Sequence, residues 1–185
     1  MSNGEFSGNP KTMWLSERGD DRDMQVIEDF WYRDQNDRRW DVPSGTVING
    51  ASIPRTLWSS VGSPYTGNYR RAALVHDAAV GREGVLRSEA DTMFYFACLA
   101  GGCSAIQAKL LYAGVRLGAW ASNTHVFSMD PAAMAPDAYR LPGQETQREL
   151  ELRARYTMIA SQLMVTPNNF EDIQKVVDRN LGPAP

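Results

Sequence analysis

The chain has 185 residues, of which 43% are hydrophobic and 22% charged, with a formal net charge of −3. A chain of this size can bury a core without disulfides or a structural metal. Its small negative charge excludes a general electrostatic attraction to nucleic acid, and the short basic clusters at Arg38-Arg39 and Arg70-Arg71 read as solvated faces.

Residues 1–12 begin MSNGEFSGNP, lack the apolar stretch of a signal peptide and read as a flexible leader. From Met24 to Arg33, apolar side chains at Met24, Val26, Phe30 and Tyr32 follow the two-residue period of a strand. Asp34 to Asp37 then makes a turn, and Arg38 to Val42 returns as a hairpin partner. A further turn at Pro43-Ser44-Gly45 leads into a short β run at Thr46 to Ile48.

The periodicity changes after Pro54. Ser59 to Gly67 reads as loop, and Asn68 or Thr66 can cap a helix running to about Val80, stopped by Gly81. Ser88 starts a second helix that ends at Gly101-Gly102, and Ser104 caps a third that ends near Trp120. Short connections predict that the three pack as antiparallel neighbours. Thr92 to Ala108, the least charged run, holds Gly101-Gly102 and falls short of a transmembrane segment.

Ser122 to Gln144 is proline-rich and reads as an extended segment. Glu145 to Met164 has the spacing of an amphipathic helix, and Asn169 to Asn180 gives one last short helix. The predicted class is α+β. A small N-terminal antiparallel sheet packs on an antiparallel helical bundle with a C-terminal helical extension. The boundaries are a leader at 1–12, a core at 13–120, and an extended segment plus helices at 121–185.

Cys98 and Cys103 flank a glycine turn and could bridge in an oxidising compartment; two small buried hydrophobes is the favoured reading. No C-x-x-C or H-x-x-x-H spacing suggests zinc.

The residues that could carry chemistry centre on His76, one of two histidines in the chain. His76 shares a helix face with Ala72, Ala73 and Val80. It falls late in its helix and Asp91 falls early in the next, so an antiparallel pair brings them together. An Asp bonded to one imidazole nitrogen fixes the tautomer and leaves the other to take a proton from water. Asp77 points about 100° away around the helix, placed to hold a cation or to cap a loop. In the structural alternative, His76 pins the 49–54 loop and Asp91 is an ordinary acid near a helix N-terminus.

The loop Asn49 to Pro54 adds polar groups: Asn49 and the Ser52 hydroxyl are candidate binding groups, with Gly50 free to take a positive φ. Ser52 lacks the strand-turn-helix G-x-S-x-G setting of a nucleophile. Gly62, in Gly62-Ser63-Pro64, is a third candidate, through a backbone carbonyl near His76. His125 could complete a metal set, although no spacing rule requires it.

The ordered series Trp40-Asp41-Val42-Pro43-x-Gly45, Asn49-Gly50-Ala51-Ser52-Ile53-Pro54-Arg55-x-x-Trp58, Gly62-Ser63-Pro64, Ala72-Ala73-x-x-His76-Asp77 and Glu89-Ala90-Asp91-x-x-Phe94-Tyr95 resembles the phage and prophage family of domain of unknown function 1353. The resemblance covers about residues 24–118 and implies a phage or prophage setting without naming an activity. One departure is Ile48-Asn49 where the family reads T-D before G-A-S-I-P, an amide in place of a carboxylate.

A second, weaker likeness is to the phospholipase A2 pattern. There a helix carries H-D, a following helix supplies the Asp that orients the histidine, and the H-D aspartate holds calcium with loop carbonyls. His76, Asp91 and Asp77 match those roles, while the disulfide framework and the usual tyrosine are missing.

The leading expectation is a His/Asp-dependent hydrolase acting on a host cell-envelope component during lysis or penetration, made in the host cytoplasm. The competing expectation is a non-enzymatic virion or tail component that binds neighbouring phage structural proteins through its C-terminal helices.

Overall fold

The computed structural model describes residues 3–15, 23–48, 53–62, 67–123 and 145–184. Strand periodicity organises the N-terminal part: Met24, Val26, Phe30 and Tyr32 are buried, and Gln25 and Trp31 between them less so. The run is not one strand, however. It divides into β3 (Met24–Val26) and β4 (Phe30–Arg33), which lie in different sheets.

The break has a local cause. The Ser44 backbone N–H donates to the Asp29 carboxylate at 2.8 Å, and its hydroxyl donates to the Ile27 carbonyl at 2.9 Å. These two bonds satisfy polar groups where the chain leaves one sheet for the other. Beyond it, β4 pairs with β5 (Arg39–Val42) in the expected hairpin, with Phe30 opposite Val42 and Tyr32 opposite Trp40.

The leader is the clearest departure from expectation. Glu5–Phe6 forms β1 on the other edge of β4, and Thr12–Trp14 forms β2 beside β3. With β6 (Val47–Ile48) the sheets are β1-β4-β5 and β2-β3-β6, all pairings antiparallel. Phe6 is the anchor, stacked on Phe30 at 5.8 Å and tilted against Tyr32 at 4.9 Å. The Tyr32 hydroxyl also donates to the Asn3 carbonyl. Gly4 permits the approach: a Cβ there would lie 2.3 Å from the Arg33 carbonyl oxygen, and its φ is +99°.

A 3-10 turn at Arg55–Leu57 leads into the short α1 (Trp58–Val61), followed by α2 (Arg70–Ala79), α3 (Arg87–Ala100) and α4 (Ala105–Asn123). Gly81, at φ +85°, follows the end of α2. The Ser104 hydroxyl accepts the Gln107 N–H at 3.1 Å, the expected cap of α4. Small residues let α4 sit at the centre of the helices. At Gly114 an added Cβ would lie 3.4 Å from Ile53, which the bare backbone lets pack against it.

The last two helices are α5 (Gln147–Val165) and α6 (Phe170–Leu181). Thr146 and Glu149 form a reciprocal capping box on α5, and Asn169 caps α6. Read from sequence as a C-terminal helical extension, they pack on the same core. Leu152, Tyr156, Ile159, Leu163, Ile173 and Val177 are all buried within it. Phe170 inserts between Tyr95, Phe96 and Tyr112, with ring centroids at 5.0, 5.3 and 5.2 Å. The buried Lys109 of α4 donates to the Thr166 carbonyl at 2.5 Å, satisfying the C-terminal end of α5.

Two sheets and a helical assembly make the fold α+β. Cys98 and Cys103 are buried free thiols, and burial pushes the Cys98 thiol well up. Among the described residues no helix is long and apolar enough to cross a membrane.

Candidate functional site

Ala72, Ala73, Leu74, Val75 and His76 are all buried, so α2 is immersed on most sides. It packs against β5 and α3. Antiparallel packing sets the last turn of α2 against the first turns of α3, and His76 and Asp91 meet there. The contact expected from the helix order is present, with His76 Nε2 2.7 Å from Asp91 Oδ1 and both side chains wholly buried. Phe94, one turn beyond Asp91, lies against the imidazole with centroids 5.0 Å apart.

Two arginines that the sequence reading did not single out complete the arrangement. Arg87 Nε donates to Asp91 Oδ1 at 2.8 Å, and its Nη2 donates to the Val115 carbonyl at 3.2 Å. Arg116 Nε stands 3.9 Å from Asp91 Oδ2, an ion pair beyond hydrogen-bond length. The other arms of Arg116 donate to the Tyr112 hydroxyl at 3.0 Å, Asp178 Oδ1 at 2.8 Å and the Gly182 carbonyl at 2.9 Å. A buried charge chain thus runs from His76 through Asp91 and Arg116 to the C-terminal helix.

Both arginines left a signal. Arg87 is four residues before Asp91 on one helix face. Arg116 is a charged residue inside AGVRLGAW, a run too apolar and small-sided to solvate it.

Burial alone would raise the Asp91 carboxyl. The hydrogen bond and charge of His76, with the Arg87 guanidinium, outweigh burial and hold it below its ordinary value. An ionised carboxylate only accepts hydrogen bonds, so the shared proton belongs to His76 Nε2. In the neutral imidazole Nδ1 then carries a bare lone pair. Among the described residues Nδ1 has no hydrogen-bond partner, although it is buried. The arrangement can therefore hold one imidazole tautomer, present a lone pair on the opposite side, and stabilise the imidazolium once that lone pair takes a proton.

The other candidates are distributed differently. Asp77 is half-buried on the next face of α2. Gly62 ends α1 at φ +94°, and its carbonyl accepts the Tyr69 hydroxyl at 2.6 Å, which ties α1 to the start of α2. Asn49, Ser52 and His125 lie outside the described residues. A cavity of about 230 Å³, lined by Val80, Gly81, Val85, Arg87 and Ala119 among others, reaches the arginine that holds Asp91. Among the described residues no group of three or more His, Cys, Asp or Glu side chains could hold a metal ion.

Residues 24–115 match the model of the family described as "Protein of unknown function (DUF1353)". Two curated relatives come from Sinorhizobium fredii (strain NBRC 101917 / NGR234). The uncharacterized protein y4jT is 34% identical over 110 residues, covering 59% of this chain and 32% of the relative. The uncharacterized protein y4iH is 38% identical over 97 residues, covering 52% and 41%. The chain thus spans well under half the length of these relatives. No solved structure matches it.

Proposed function

We propose that this chain, whose residues 24–115 match the DUF1353 model, is a hydrolase of phage or prophage origin that cleaves ester bonds of host cell-envelope lipids. The observation that carries the reading is His76 itself, with Nε2 fixed by an ionised carboxylate and Nδ1 buried without a partner among the described residues. His76 is the general base; because its side chain is wholly buried, the role requires the packing around Nδ1 to open and admit substrate and water. Nδ1 then takes a proton from water, and the resulting hydroxide attacks the ester carbonyl carbon. The same proton then passes to the departing alkoxide, leaving a carboxylic acid and an alcohol. Asp91 remains ionised throughout and stabilises the imidazolium. Arg87 and Arg116 are positioning residues that hold Asp91. The division of labour between His76 and Asp91 parallels the phospholipase A2 pattern.

The test is release of fatty acid from phosphatidylethanolamine–phosphatidylglycerol vesicles by the full chain. His76→Asn should lower the rate by about 10²–10⁴-fold, the size of a general-base contribution, with circular dichroism unchanged. A folded variant with unaltered hydrolysis, or a wild-type chain that releases nothing, overturns the reading.

A second reading has its own observation. The outer side of α5 exposes Leu150, Met158, Met164 and Val165, the last at 86%. In a virion or tail component that face would bind a neighbouring subunit, and the His76–Asp91 pair would only pin α2 to α3. Self-assembly that Met158→Lys abolishes, together with no hydrolytic activity, is the result that favours it.

A further inference from the structure

A second cavity, of about 290 Å³, lies away from His76, between the β4–β5 turn and the first turns of α3. Asp34 builds that turn. Its Oδ1 accepts the backbone N–H groups of Asn36 at 2.9 Å and Arg38 at 3.0 Å, and its Oδ2 accepts Trp40 Nε1 at 3.0 Å. Asp37 takes a φ of +63°, uncommon outside glycine. All of this holds Gln35 and Asn36 at the rim of the cavity.

Half-buried Phe96 supplies an apolar side, with the buried Trp40 and Met93 behind it. Arg38 lies over the Trp40 ring at 4.1 Å, and its Nη1 donates to Glu89 Oε2 at 3.0 Å. Ser88 and Thr92 add hydroxyls on the α3 side.

The chemistry of this lining selects a ligand class. Arg38 is paired with Glu89, and both carboxylate oxygens of Asp34 are engaged by its three donors, so none of these groups is free to bind an ion directly. The cavity offers planar amides and a guanidinium–carboxylate pair, whose adjacent donors and acceptors match vicinal hydroxyls. An apolar side suits the C–H face of a ring. The volume is at the low end for small-molecule pockets, room for one or two pyranose rings. We propose that this cavity is a saccharide-binding site, independent of the His76 centre.

The experiment is a titration of the ¹⁵N-labelled full chain with chitobiose and with maltose, using choline chloride and sodium phosphate as ionic probes. Saturable shifts of the Gln35 and Asn36 side-chain amides and the Trp40 indole N–H are expected with at least one disaccharide. Asn36→Ala should weaken that binding about tenfold, one to two hydrogen bonds' worth. Thr92→Trp, which fills the half-buried α3 wall, should abolish it. Either variant can be used if the other fails to fold. Disaccharides that move none of these resonances overturn the proposal. So do shifts that persist unchanged in the folded variants, or saturable binding of choline or phosphate alone.

Discussion

Glu89 and Asp91 stand two residues apart on α3, and each meets an arginine in opposite surroundings. Glu89 bonds Arg38 at 3.0 Å with 41% and 44% of the two side chains exposed. Asp91 is wholly buried and meets His76, Arg87 and Arg116. A solvated pair is worth about 0–1 kcal/mol because water and salt compete for both charges. In the buried set His76 and Asp91 have no water to fall back on, so loss of one strands the other. The outer pair leaves room for a ligand, while the inner set fixes one imidazole tautomer. One helix thus separates binding chemistry from preorganised chemistry by the difference of about 200° between positions 89 and 91.

The sharpest way to break this contrast is Asp91→Ala. Leaving His76 Nε2–H and Arg87 unpaired in the interior should cost about 3–5 kcal/mol. At roughly 2–4 °C per kcal/mol for a chain of this size, thermal melting should fall by roughly 6–20 °C. A smaller loss is expected from Arg116→Met, about 1.5–3 kcal/mol for its charge-assisted bonds. Asp178, partly exposed, can rehydrate when its partner goes. A double-mutant cycle with Asp178→Asn should return a coupling of about 1 kcal/mol or more. Additivity there would show that the charge chain ends at Arg116.

Acid should report on Asp91. The folded Asp91 carboxyl lies below its ordinary value. Between the folded and unfolded values the unfolded chain binds more protons, so stability rises with pH across that window. The contribution is complete above about pH 4 and is lost as pH falls through the folded value. Urea midpoints measured from pH 5 downward should therefore decline less steeply in Asp91→Asn than in the wild-type chain. An identical slope in both removes Asp91 as the source.

The parts of the molecule that were legible in sequence are those fixed by local chemistry. Ser104 caps its helix from one turn away, and the alternation of Phe30 and Tyr32 defines a strand by itself. The His76–Asp91 contact followed from helix order alone, because a short connection leaves antiparallel packing as the simple arrangement. What was missed depends on distant partners. Phe6 makes a strand of an otherwise polar leader by stacking on Phe30. The division of β3 from β4 needs Ser44, and the burial of α5 and α6 needs α4. Arg116 acquires its role from Asp178, sixty-two residues further on. Loop residues Asn49 and Ser52 lie outside the described residues, so their part in the site rests on the sequence alone.

The smallest expected effect is the most discriminating control. Glu89→Gln keeps the shape of the side chain and removes only its charge. Arg38 is then still held over Trp40 and still reaches water, so no buried group is left stranded. Melting should move by no more than about 1 kcal/mol equivalent, and that difference should vanish in 1 M salt, where screening acts within about 3 Å. Saccharide shifts at Asn36 should weaken all the same, because one acceptor of the cavity has become an amide. A cost comparable with Asp91→Ala, insensitive to salt, would mean that the outer pair is as sealed as the inner one. The division of α3 into a binding face and a preorganised face would then fail.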